Sequence, residues 1–197
     1  GATLALPDDA HADLRALLRG QAMLVREDAQ GDVVDATYLQ MPGVLDVLHA
    51  EAADDRAPLG AVPGGGTTWF RLWAPTAINV SACLYRGGVS PAFEQVPLAY
   101  EARTGHWLNG LPSDLRGNYY TYLVDVFVPG TGIVRNRVTD PYSVSLTTNS
   151  TRSDIADLDD PALKPTGWDG APRPPALAST TDMAIYELHV RDFSIGD

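Results

Sequence analysis

Residues 68–86, TWFRLWAPTAINVSACLYR, restrict this chain more than any other stretch. Phe70 and Leu72 alternate with Trp69 and Arg71. Further on, Val80, Ala82 and Leu84 alternate with Ser81, Cys83 and Tyr85. Period-two alternation rich in aromatic and β-branched residues predicts half-buried strands. Pro75 interrupts the pattern, because it has no N–H for a ladder and its φ is fixed. Strand, corner, strand is the result, and such a corner suits a β-sandwich whose chain passes from one sheet to the other.

The next 60 residues continue in that mode. Positions 95–100 and 105–108 read as short strands. Residues 119–128, YYTYLVDVFV, form the strongest strand pattern in the sequence. Tyr120, Tyr122, Val124, Val126 and Val128 share one of its faces; Tyr119, Thr121, Leu123, Asp125 and Phe127 share the other. Pro129-Gly130-Thr131-Gly132 turns it into a partner over 133–138. Short strands with turns at this spacing predict an antiparallel sandwich over 63–142.

Before it lies an α/β extension, 1–62. Leu14, Leu17 and Leu18 at i, i+3, i+4 predict a helix over 8–20, stopped by Gly20. A hairpin follows, with strands at 21–26 and 33–39, and then a second short helix over 43–49 behind Pro42. The Pro/Gly-rich stretch 55–66, ending in Gly64-Gly65-Gly66, reads as a connector. After the sandwich, 143–182 is irregular yet carries Val144, Leu146, Ile155, Leu158, Leu163 and Trp168. It is expected to be a linker held on a surface. Residues 183–190, MAIYELHV, read as a strand buried on both faces of a parallel sheet. With no sister strands after it in the sequence, it is expected to be the first strand of something longer.

Composition excludes several functions. The net charge of −11 over 197 residues opposes nucleic acid or an anionic membrane surface as partner. It leaves a neutral glycan open. No apolar run approaches the roughly 18 residues of a membrane-spanning helix. Cys83 is the single cysteine, so no intrachain disulfide can form. The compartment stays open, with an extracellular or cell-surface one favoured. No G-x-S-x-G, H-E-x-x-H, C-x-x-C or G-x-G-x-x-G occurs. Asp157, Asp159 and Asp160 lack the glycine and glutamate of a calcium loop and read as turn residues, so no metal site is assigned. His189, Arg191 and Asp192 at the end of the last strand read as hydrogen-bonding braces. Trp69, Trp73, Trp107, Tyr119, Tyr120 and Tyr122 could stack on a sugar, but all six sit in or beside expected strands, and the core reading is favoured for each. Trp107 and Tyr119 are carried forward as the substrate-binding candidates.

An ordered series of motifs then points to a family: QMPGVLDVL at 40–48, LGA at 59–61, FRLWAPTA at 70–77, NYYTYLVDV at 118–126, DPYS at 140–143, NSTR at 149–152, LKPTGW at 163–168 and IYELHVRDFS at 185–194. In this series the chain resembles the pullulanase and limit-dextrinase group of glycoside hydrolase family 13, the α-amylase superfamily. The resemblance implies a mainly β fold. Its centre would be an immunoglobulin-like antiparallel sandwich of the carbohydrate-binding module family 48 type. IYELHVRDFS would be the first strand and exit loop, 183–197, of a (β/α)8 barrel otherwise absent from the sequence. The resemblance further implies a parent enzyme that hydrolyses α-1,6-glucosidic branch points in pullulan, amylopectin or limit dextrins by retaining double displacement. That parent would need no organic cofactor, and calcium is allowed in it by analogy. The catalytic triad would lie beyond residue 197, so this chain alone is expected to be catalytically silent. Its partners would be an α-glucan and the catalytic barrel. Glycogen-binding relatives of the module carry tryptophans in stretches corresponding to 86–90 and 130–134, and neither stretch has one here. The expected role is therefore docking on the barrel or weak glucan binding. A self-standing glucan-binding module is the alternative, and a sandwich unrelated to sugars is a third.

Overall fold

The computed structural model describes residues 10–50, 56–173, 175–189 and 193, with side chains from Leu14 onward. The chain forms two compact units, 1–159 and 160–197. In the first, helix α1 (Ala10–Leu17) precedes the hairpin of β1 (Met23–Glu27) and β2 (Val33–Tyr38), and helix α2 (Pro42–Leu48) follows. The hairpin turn is made by Asp28, whose carboxylate accepts the backbone N–H groups of Gln30 and Asp32 at 2.9 and 3.0 Å. Gly31 there takes φ of +87°, a conformation glycine adopts without Cβ strain. Leu18 is buried, whereas Leu17 faces out.

The sandwich comprises two antiparallel sheets. One has the order β3-β4-β8-β7, from Gly60–Gly64, Thr67–Trp73, His106–Leu111 and Ala99–Glu101. The other has the order β10-β9-β5-β6, from Gly132–Val138, Tyr119–Val128, Ala77–Tyr85 and Ala92–Pro97, and β11 (Ser153–Asp154) also pairs with β9. The expected connector at 55–66 thus supplies a strand, since β3 crosses position 62. It pairs with β4 through a two-residue turn in which Gly65 and Gly66 both have positive φ, the requirement of a tight hairpin. The chain changes sheets at Pro75, where the Ala77 N–H closes a turn on the Ala74 carbonyl at 3.1 Å. It changes again at Leu98, dividing the expected strand at 95–100 into β6 and β7.

Phe70, Leu72, Val80, Ala82, Leu84, Val96, Trp107, Tyr120, Tyr122 and Ile155 fill the space between the sheets. Phe70 and Tyr120 meet edge to face at 5.3 Å, and Tyr120 and Tyr122 at 5.5 Å. Each such ring contributes about 1.5–3 kcal/mol by leaving water. Strand β5 was expected to be half-buried, yet Ser81, Cys83 and Tyr85 are buried as well. The reason is its central place, between β9 and β6, with the Arg152 guanidinium 3.7 Å above the Tyr85 ring. Beyond β10, Asp140 ties the chain back: its carboxylate accepts the Tyr120 hydroxyl at 2.6 Å and the Tyr142 N–H at 2.8 Å, and its own N–H donates to Ser153 Oγ.

In the second unit, single turns at Pro161–Leu163, Trp168–Gly170 and Thr180–Asp182 are linked by irregular chain. Asp160 caps the first of them by accepting the Ala162 N–H, a turn role as expected. The strand expected at 183–190 is not formed over the described residues 183–189. Ile185 and Tyr186 are 85% and 82% exposed. A strand exists only through hydrogen bonds to neighbours, and among the described residues none pairs with this segment. Val190, Arg191 and Asp192 lie outside the described residues.

Candidate functional site

The two sequence candidates separate. Trp107 points inward from β8 and is 4% exposed. Its indole N–H donates to the Ala74 carbonyl at 2.9 Å, its ring lies 5.0 Å from that of Tyr100, and Arg19 covers it at 5.3 Å. Trp107 therefore locks the sheet-to-sheet corner and has no face left for a sugar. Tyr119 begins β9 on the outer face of the other sheet, half-buried, opposite Tyr85 and Asp154. The neighbouring Tyr85 ring is already occupied by Arg152, which is itself pinned to the carbonyls of Gly87 and Ser90. Tyr120 and Tyr122 are core residues.

Of the six aromatics singled out in the sequence, Trp69 departs furthest from a core position, 52% exposed on the outer face of β4. Register places it directly opposite Gly110 on β8 and Val62 on β3. A Cβ built on Gly110 would lie 2.9 Å from each of three consecutive carbons of the Trp69 benzo ring. Equal approach to three adjacent ring atoms means that the ring presents its face, not its edge, to the glycine. The indole therefore lies over the backbone of β8 because position 110 has no side chain. Its other face looks outward. Beside it runs a groove of about 400 Å³ lined by Pro58, Val62, Arg71 and Leu108.

This arrangement suits a pyranose. An indole face held parallel to a surface packs against the flat C–H face of a sugar ring, and a neutral ligand is indifferent to the net acidity of the chain. Arg71, two residues along the same face, adds hydrogen-bond donors for hydroxyls. Sequence alternation places Trp69 opposite to Phe70 and Leu72, which is a usable signal for exposure. The pairing with Gly110 depends on strand register, which alternation does not specify.

Comparison with known proteins gives a consistent result. Residues 1–47 match the Pullulanase N2 domain family, and residues 58–143 match Carbohydrate-binding module 48 (Isoamylase N-terminal domain). The chain is 38% identical over 200 residues to a pullulanase of Klebsiella pneumoniae, covering 100% of this chain and 18% of that protein. It is 39% identical over 189 residues to the chloroplastic pullulanase 1 of Arabidopsis thaliana, covering 94% of this chain and 19% of the relative. It therefore spans less than a fifth of the length of these relatives. Among solved structures, Klebsiella pneumoniae pullulanase complexed with maltotriose superposes with a TM-score of 0.75 at 37% identity, over 84% of this chain and 15% of that one. Apo pullulanase from Paenibacillus barengoltzii gives 0.58 at 40% identity, over 72% of this chain and 20% of that one.

Proposed function

Because this chain is a homologue of the N-terminal region of pullulanases, carrying a pullulanase N2 domain and a carbohydrate-binding module of family 48, we propose that it is the non-catalytic N-terminal part of an enzyme hydrolysing α-1,6-glucosidic branch points. In this reading the sandwich holds α-glucan weakly on the outer face of β4. The observation that carries it is Trp69, an indole laid over Gly110 with its second face in water. A half-exposed tryptophan beside an apolar groove gains when a sugar ring covers it, and a neutral polymer meets no charge penalty on an acidic protein.

Affinity electrophoresis in gels containing amylopectin or pullulan tests the reading. The chain is expected to be retarded, and Trp69→Ala to be retarded clearly less. Unretarded migration of the unsubstituted chain would sink the glucan-contact reading and leave docking on a catalytic barrel as the role of the sandwich.

A further inference from the structure

A second concave site lies away from Trp69, where the α/β extension meets the end of the sandwich. Helix α2 ends at Leu48, and the next residue, His49, is 4% exposed. Arg15 from α1 holds this junction by donating to the Leu48 carbonyl at 2.6 and 3.0 Å. The result is a cleft of about 320 Å³ lined by Asp46 and His49 from the extension and by Leu59, Trp73 and Tyr142 from the sandwich. Its aromatic wall is rigid, because the Trp73 indole N–H donates to the Thr104 carbonyl at 3.0 Å. His49 is wedged so tightly that a Cβ on Gly105 would come within 3.0 Å of its Nδ1. That nitrogen has no hydrogen-bond partner among the described residues.

We propose that this cleft binds a terminal glucosyl unit of an α-glucan, with Trp73 as the wall against the sugar ring and Asp46 and Tyr142 as partners for its hydroxyls. The proposal rests on the α-glucan reading given above, but it uses different residues. The chemistry of the lining selects a neutral, hydroxyl-rich ligand. An anion would meet the Asp46 carboxylate. A cation would meet the field of Arg15; burial, and after it that field, holds His49 below the ordinary imidazole range. Burial and the nearby Asp140 keep the Tyr142 phenol protonated, so it both donates and accepts. One aromatic wall with a few convergent polar groups is the usual composition of a small-molecule site, and the volume falls at the lower end of that class. It suits the end of a chain rather than its middle.

Titration of the full chain with maltotriose, followed by the indole N–H resonances in ¹⁵N NMR, tests the assignment. The four tryptophans give four such signals, assigned by single Trp→Phe variants. In a Trp69→Ala background, which removes the exposed platform, the Trp73 signal is expected to shift and saturate. Asp46→Ala and Tyr142→Phe, an exposed and a single-atom change respectively, are each expected to weaken that saturation about tenfold, the effect of one good hydrogen bond in a partly buried site. In the unsubstituted chain, a shift of Trp69 without Trp73 would overturn the cleft and leave the platform standing. No shift of either would overturn both. A Trp73 shift unchanged by Asp46→Ala and Tyr142→Phe would also overturn the site as assigned.

Discussion

The Trp69 indole covers the α-carbon of Gly110, its directly opposed neighbour on the adjacent strand, with three ring carbons at 2.9 Å from where a Cβ would stand. The glycine is what allows the tryptophan to lie down. Gly110→Ala is therefore expected to tilt the ring off the sheet and to reduce retention in amylopectin gels nearly as far as Trp69→Ala does. Stability should change by less than about 1 kcal/mol, because a surface ring can swing away and alanine recovers strand entropy lost by glycine. Urea unfolding and affinity electrophoresis on the same samples check both halves.

Arg19 fastens the extension to the sandwich. It donates to the carbonyls of Ala77 and Ile78 at 2.7 and 2.6 Å and lies 4.4 Å over the Tyr100 ring. Arg19→Met keeps the aliphatic stem and loses both charge-assisted bonds. The expected cost is about 2–3 kcal/mol. Hydrogen exchange should report faster opening of α1 while β9 amides stay protected.

Tyr120 and Asp140 form a buried pair, with the hydroxyl 2.6 Å from the carboxylate and the two residues 1% and 4% exposed. Tyr120→Phe removes the donor and leaves the carboxylate under-satisfied. A loss of about 2–3 kcal/mol is expected in urea unfolding. A loss below the error of the measurement would mean that the Tyr142 N–H alone satisfies Asp140.

Two carboxylates should give stability opposite slopes with pH. Burial raises Asp140 above its ordinary value of 3.8, against the bonds from Tyr120 and Tyr142. The folded state thus holds that proton more tightly than the unfolded chain. Stability from this group falls as pH rises from 3.8 through the folded pKa and is level above it. Asp140→Asn removes that slope, so the variant should gain on the parent chain across that window. Asp125 behaves conversely, since the Arg135 guanidinium, at 2.7 and 2.8 Å from its two oxygens, lowers its pKa. Its contribution is present above 3.8 and is lost as pH falls through the lower folded value. Asp125 is buried but the Arg135 side chain is 57% exposed, so the slope that Asp125→Asn removes should be shallow. Urea midpoints at a series of pH values for the three proteins separate the two groups.

Local pattern already carried much of this architecture. Alternation at 68–86 and 119–128 located β4, β5 and β9 and put Phe70 with Leu72, Val80 with Leu84, and Tyr120 with Tyr122 on common faces, because period two in a strand is set by backbone geometry alone. Pro75 marked the corner for the same local reason. Leucine spacing and the Gly20 stop located the first helix, Pro42 marked the start of the second, and the ordered motifs identified the family.

What depended on partners was not legible. A run of glycines and prolines became β3 because β4 offers an edge to it, and the apolar run at 183–189 formed no strand because none of the described residues offers one. Trp107 and Trp69 look alike in sequence, both aromatic and both in a strand. Only the packing of one sheet on the other buried Trp107 against Ala74 and Tyr100 and left Trp69 in water over Gly110. Periodicity assigns a residue to one of two faces. Which face becomes interior, and what stands across from it, is decided by contacts between segments far apart in the chain, and those exist only once the sheets have closed.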